Sequence, residues 1–386
     1  MARLSRREVY APHEIAIVHV INRVNQGCFL LGTDPFTGKN LDHRKAWMED
    51  QLRRQAACFA IDLLGFAILP DRFHLILRSR PDCVKQWDDT DIARRWLTIC
   101  PVRKTDDGQP APPTTEDVNL LRLNRTRLKA IRSRLSDISW WTRIFCQQIA
   151  KRANDEDEQR GKFFQSRFKA VRLLDEQALV ACAVHVDLKP VIASQAKPRR
   201  SKAPKAAKRR LQTVPQTVSS ATAGVLRRKS AKRNATAASG RRAAAPSAGV
   251  SATADQFLTP VEFKQRKGAA QGAELNKAGA RCSDKGFLPF SQDDYFQLLD
   301  WTSRQLTQGQ KGRVPESIEP ILQQLQLDRE TWCDLVAHFD KRFFVVAGAL
   351  TTIDDTTSRL KQHRYHVPLA TRQLFQDIES RTETSE

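Results

Sequence analysis

Tyrosine is scarce in this chain: Tyr10, Tyr295 and Tyr365 are the whole complement in 386 residues. Any chemistry that needs a phenol therefore has few candidates. The eight cysteines (28, 58, 83, 100, 146, 182, 282 and 333) include no Cys-x-x-Cys pair. That spacing excludes zinc fingers and dithiol redox centres and suits a reducing compartment. Long apolar runs are missing too. Phe343 to Leu350 is the longest clear one, far short of the roughly 20 residues a membrane span needs. The opening Met1-Ala-Arg-Leu-Ser-Arg-Arg lacks the apolar centre of a signal peptide, so a cytoplasmic protein is expected. Acidic residues are in deficit. Against 64 Lys and Arg stand 43 Asp and Glu, for a net charge of +21. A chain so basic calls for a polyanionic partner, nucleic acid ahead of an anionic membrane surface.

The excess charge is unevenly spread. Residues 194–256 hold fifteen Lys and Arg, one acid (Asp255) and no aromatic side chain. Such a segment buries too little apolar surface to offset the entropy of ordering, which predicts disorder. It reads either as a solvated linker or as a tether gripping phosphates without sequence preference. It splits the chain into an α+β domain over 1–193 and a helical domain over 257–386.

In the first part, Ile15 to Val24 has the β-branched character of a strand. His43 to Ala60 has a helical period, with Trp47, Leu52, Ala56 and Phe59 near one face. Ile61 to Leu69 and Phe73 to Arg78 flank Pro70-Asp71, a hairpin pattern. Helices are expected over 89–100, 117–135 and 139–154, a polar loop over 104–116 and a strand over 168–174. Asp175 should cap a last helix, packed through Ala178, Ala181 and Cys182, that ends near Leu188 before Pro190. This order suits an antiparallel sheet with helices on one face. The second part reads as all-α, with helices over 293–306, 318–325, 329–339 and 341–349, and Tyr295 in a structural role.

The stretch Leu69 to Pro81 carries the strongest signal. Arg72 and His74 are two residues apart and share one face of a strand. Around it stand His19-Val-Ile-Asn-Arg23, Ile61-Asp-Leu-Leu-Gly-Phe66, Gly161-Lys-Phe-Phe-Gln-Ser-Arg-Phe-Lys169 and His185-Val-Asp-Leu-Lys-Pro190. Together with Asp300-Trp301-Thr302 and Pro320-Ile-Leu322, these segments resemble the IS200-like, REP-associated tyrosine transposases, in particular a long bacterial subgroup. The resemblance implies a ferredoxin-like, HUH-type nuclease domain. It also implies single-stranded or hairpin DNA as partner, a homodimer, no membrane, and a bacterial cytoplasmic setting at the nucleoid. In the family, two histidines flanking a hydrophobic residue hold Mg²⁺ or Mn²⁺, and a tyrosine forms a 5′-phosphotyrosine.

Both chemical positions differ here. Arg72 stands where the first ligand histidine belongs; a guanidinium offers only donors and repels a cation. His185 stands at the position of the nucleophilic tyrosine. DNA cleavage and strand transfer are therefore expected to be impaired, and a non-catalytic, regulatory DNA-binding protein is the alternative. Mg²⁺ or Mn²⁺ is implied for an active copy and no metal for an inactive one. His74 and His19 read either as remaining ligands or as packed strand histidines. Arg72 is either a drifted residue or a phosphate grip. Arg23, Arg78, Arg80, Arg167 and Lys169, beside Phe66, Phe73, Phe163, Phe164 and Phe168, form a candidate nucleic-acid surface.

Overall fold

Three aliphatic, β-branched runs make the centre of the molecule. The computed structural model describes residues 9–11, 13–25, 30–33, 38–106, 110–195, 256–263, 274–308, 314–359 and 365. The runs are β1 (Ile17–Arg23), β2 (Ile61–Ile68) and β3 (Arg72–Ser79). With β4 (Lys169–Leu173) and the two-residue β5 (Val346–Ala347) they form one sheet of order β2-β3-β1-β4-β5. The first four strands are antiparallel to their neighbours and β5 runs parallel to β4. The turn between β2 and β3 closes with Leu69 N–H donating to the Arg72 carbonyl at 2.8 Å. Register shifts between Leu63 and Gly65, a bulge that leaves Leu64 as the extra residue, its side chain buried on the second face.

Strand alternation gives the sheet two faces, and both are covered. Val18, Val20, Phe73, Leu75 and Leu77 point to the first face, where Met48, Leu52, Trp141 and Phe145 pack on them. The helices of that side are α1 (His43–Cys58), α2 (Pro81–Val84), α3 (Asp89–Ile99), α4 (Thr115–Leu123), α5 (Arg125–Arg134) and α6 (Ile138–Glu156). Their starts follow capping chemistry: Asp88 accepts from Asp91 N–H, and Thr114 and Asp117 form a reciprocal capping box. The helix expected over 117–135 is two helices. Asn124 ends α4 and caps α5, its side chain accepting from Arg127 N–H at 2.9 Å.

On the second face lie α7 (Glu176–Gln195), α8 (Gln292–Gln308), α9 (Glu319–Gln324) and α10 (Arg329–Arg342), followed by β5 and α11 (Leu350–Arg359). Helices on one face alone were expected; α7 lies on the other face and the C-terminal helices pack over it. Ala178, Ala181, Cys182, Val184 and Val186 are all buried in α7, because it lies between the sheet and the later helices; a helix apolar all round must be enclosed. Pro190 does not end it. The helix runs through to Gln195. The expected helix over 341–349 is instead the end of α10 plus β5, so the C-terminal part is not purely helical. The basic segment expected to be disordered lies outside the described residues, apart from the end of α7 and Gln256.

Beyond that segment the chain returns to the sheet at once. Leu258 bridges to Leu63, and Thr259 N–H donates to the Leu63 carbonyl at 3.0 Å, covering the β2 edge. β5 lies on the opposite, β4 edge. A buried polar knot fastens the crossing. Asp62 takes ion pairs from Arg78 at 2.8 Å and Arg80 at 3.1 Å, and accepts from the Ser283 hydroxyl and backbone N–H.

Candidate functional site

His19 and His74 point to the second face from neighbouring strands. In the β1–β3 register His19 stands opposite Ile76 and His74 opposite Ile21, so the two imidazoles are diagonal neighbours. His19 Nε2 and His74 Nδ1 are 3.1 Å apart, and the rings stack 5.3 Å between centroids. α7 brings a third imidazole over them: His185 lies 6.1 Å from each ring. All three are fully buried.

α10 closes the cluster from above. Its last turn departs from helical geometry at His338 (φ −118°, ψ 15°), immediately before Phe339 and Asp340. The Phe339 ring sits 6.0 Å from His19 and 5.7 Å from His185, with Phe343 behind it at 4.7 Å. His185 Nδ1–H donates to the Val336 carbonyl at 2.5 Å, which leaves Nε2 as the lone-pair nitrogen. That Nε2 is 3.9 Å from an Asp340 carboxylate oxygen. Asp340 is held by Lys189 of α7 at 3.1 Å, and its carbonyl accepts from Lys169 of β4 at 2.5 Å.

The electrostatics follow from this enclosure. Burial pushes His19, His74 and His185 below the ordinary histidine range, and nearby Lys189 pushes His74 and His185 further the same way. His185 falls to about 3. All three are neutral at neutral pH. The Asp340 carboxyl is lowered overall, its burial outweighed by Lys189 and His185. Buried His19 Nδ1, His74 Nε2 and His185 Nε2 make no hydrogen bond.

These residues are not disposed to hold the implied Mg²⁺ or Mn²⁺: all three imidazoles are fully buried, His19 Nε2 and His74 Nδ1 hydrogen-bond to each other, and the one nearby carboxylate, Asp340, is held by Lys189. Among the described residues no group of three or more His, Cys, Asp or Glu is arranged to hold a metal ion.

Arg72 lies at the rim rather than in the cluster. It shares the face of His74 but is held in a forked ion pair by Asp71, with contacts of 3.0, 3.0 and 2.6 Å. That pairing raises its pKa. Arg23 stands opposite Arg72 in the register and is exposed, and Arg167 is exposed two residues beyond Gln165, whose N–H donates to the Arg23 carbonyl. Arg23, Arg72 and Arg167 thus gather at one end of the sheet. Arg78 and Arg80 do not join them, contrary to expectation: both are buried in the Asp62 knot. Lys169 is half-buried against Asp340. Tyr295 is buried, and its hydroxyl donates to Asp187 at 2.8 Å, consistent with the structural role expected. Phe339, Asp340 and Lys189 were not among the candidates. The only signal was the Phe339 position on an apolar helix face, which says core and nothing about what the core touches.

No protein-family description matches this chain, and no curated protein matches it. Among solved structures, a REP-associated tyrosine transposase bound to a REP hairpin is similar at a TM-score of 0.27 and 11% identity, over 50% of this chain and 73% of that one. At that level the likeness sets neither fold nor activity. No helix of the described residues is long and apolar enough to cross a membrane.

Proposed function

We propose that the protein binds DNA, single-stranded or hairpin-forming, as a non-catalytic relative of the tyrosine transposases. The strand order β2-β3-β1-β4 with crossing helices reads as the ferredoxin-like core of the HUH type. One observation carries the loss of chemistry. The imidazoles of His19, His74 and His185 are sealed under Phe339, with no hydroxyl nucleophile hydrogen-bonded to them among the described residues. A scissile phosphate has no route to them without displacement of α10. What remains at the surface is cationic: Arg23, Arg72 and Arg167 offer phosphate contacts on the sheet end nearest the closed centre, and the net charge of +21 supplies long-range attraction.

The test is incubation of the full chain with a labelled DNA hairpin and Mg²⁺ or Mn²⁺. Binding that weakens steeply with salt and leaves no covalent protein–DNA adduct is the expected result. An adduct would show that cleavage chemistry survives, and absence of binding at low salt would remove the reading altogether.

A further inference from the structure

The most one-sided charge among the described residues is not on the sheet rim. Residues 118–136, the end of α4, all of α5 and the turn after it, carry Arg122, Arg125, Arg127, Lys129, Arg132 and Arg134 and no acid. Leu128, Ile131 and Leu135 are buried and fix which side of α5 faces inward. The outer crest is then Thr126, Ala130 and Ser133, all small and exposed. Arg125, Lys129 and Arg132 run along one flank of that crest at i, i+4 and i+7; Arg127 and Arg134 run along the other. Some are engaged: Arg132 donates to the Val84 and Trp87 carbonyls and pairs with Asp89. Arg125, Arg127 and Lys129 are exposed and make no ion pair among the described residues.

Like charges four apart destabilise a helix by tenths of a kcal/mol, and the first turn of α5 holds no acid to offset its dipole. An external polyanion relieves both costs. An aromatic platform continues the surface. Arg134 and Arg143 both lie over the partly exposed Trp140, at 4.2 and 5.0 Å from its centroid. Cations beside an accessible ring are what nucleic-acid surfaces use.

We infer that the α4–α5 hairpin with Trp140 is a second nucleic-acid surface, which grips the phosphate backbone along the α5 crest. This rests on the DNA-binding reading above but assigns it to a different place. Leu135, at the end of α5, accepts from Ala60 N–H at the start of β2. The Arg23–Arg72 rim is at the other end of the strands, and seven residues of β3 separate the two, about 23 Å at the usual rise.

The experiment compares the full chain with the triple variant Arg125→Gln, Arg127→Gln, Lys129→Gln in titrations of a DNA hairpin over a range of salt. These side chains are exposed, so thermal unfolding should be unchanged. The variant is expected to bind about tenfold or more weakly, with the slope of log affinity against log salt reduced by about 2 to 3, one unit or slightly less per lost phosphate contact. A control removing three exposed cations from other elements (Arg54, Lys277 and Arg304, each to Gln) should keep most of the affinity. Wild-type binding with an unchanged triple variant would overturn this surface while leaving the DNA reading intact. No wild-type binding would overturn the DNA reading itself. Loss of binding to phosphatidylserine vesicles, with DNA binding unaffected, would reassign the surface to a membrane and overturn the inference.

Discussion

Three imidazoles in one apolar enclosure make His19, His74 and His185 a point at which acid acts on the fold. The charges that face them are Arg72 on β3, Lys169 on β4, Lys189 on α7 and Asp340 on α10. Three of those four oppose protonation, and so does burial. In the unfolded chain each histidine takes a proton near its ordinary value of about 6.5; in the folded chain His185 waits until about 3. Between those values the unfolded state binds more protons, so stability is present above about pH 6.5 and is lost as pH falls. His185 contributes a slope of about 1.4 kcal/mol per pH unit in that window, and His19 and His74, also lowered by burial, act in the same direction. Urea unfolding at pH 7 and pH 5 should show a clear loss at the lower pH. Equal stability at both would mean that the imidazoles are hydrated and the enclosure is open.

Among the elements, the crossing from β2 and β3 to the C-terminal part depends on Asp62. Removing its carboxylate leaves Arg78 buried without a counter-charge and leaves buried Arg80 with Asp82 alone. Asp62→Ala is expected to cost about 3–5 kcal/mol, read as a drop in the urea midpoint; a change below about 1 kcal/mol would mean that water reaches the knot. The elements also show what the sequence disclosed and what it withheld. β1, β2, β3, α1, α3 and α6 lie close to where period and capping residues put them, and the i, i+2 rule correctly put Arg72 and His74 on one face. The break at Asn124 was hidden because buried positions 118, 121, 128, 131 and 135 keep helical phase across it. Pro190 misled because the bond it forfeits, to the Val186 carbonyl, does not stop the helix; burial of α7 carries it through to Gln195. The cover over the histidines was illegible. Which side chain a distant helix lays on a strand depends on packing among parts hundreds of residues apart, and Phe339 looks the same as any core phenylalanine.

For the molecule as a whole, the C-terminal part is structural substance of the sheet rather than an appendage. Its α8 and α10 enclose α7 over one face, with Phe339 of α10 reaching His19 of β1; it lies along the β2 edge at Leu258 and Thr259 and adds β5 at the β4 edge. Part of each outer edge of the sheet is thus paired by the C-terminal part. The two halves therefore hold each other by burial and backbone pairing. Two separately expressed chains, 1–195 and 256–386, should co-elute in gel filtration and part only in denaturant. Independent elution of two folded pieces would contradict this. In that sense the protein is a heterodimer encoded as one chain, its two parts joined across a single sheet.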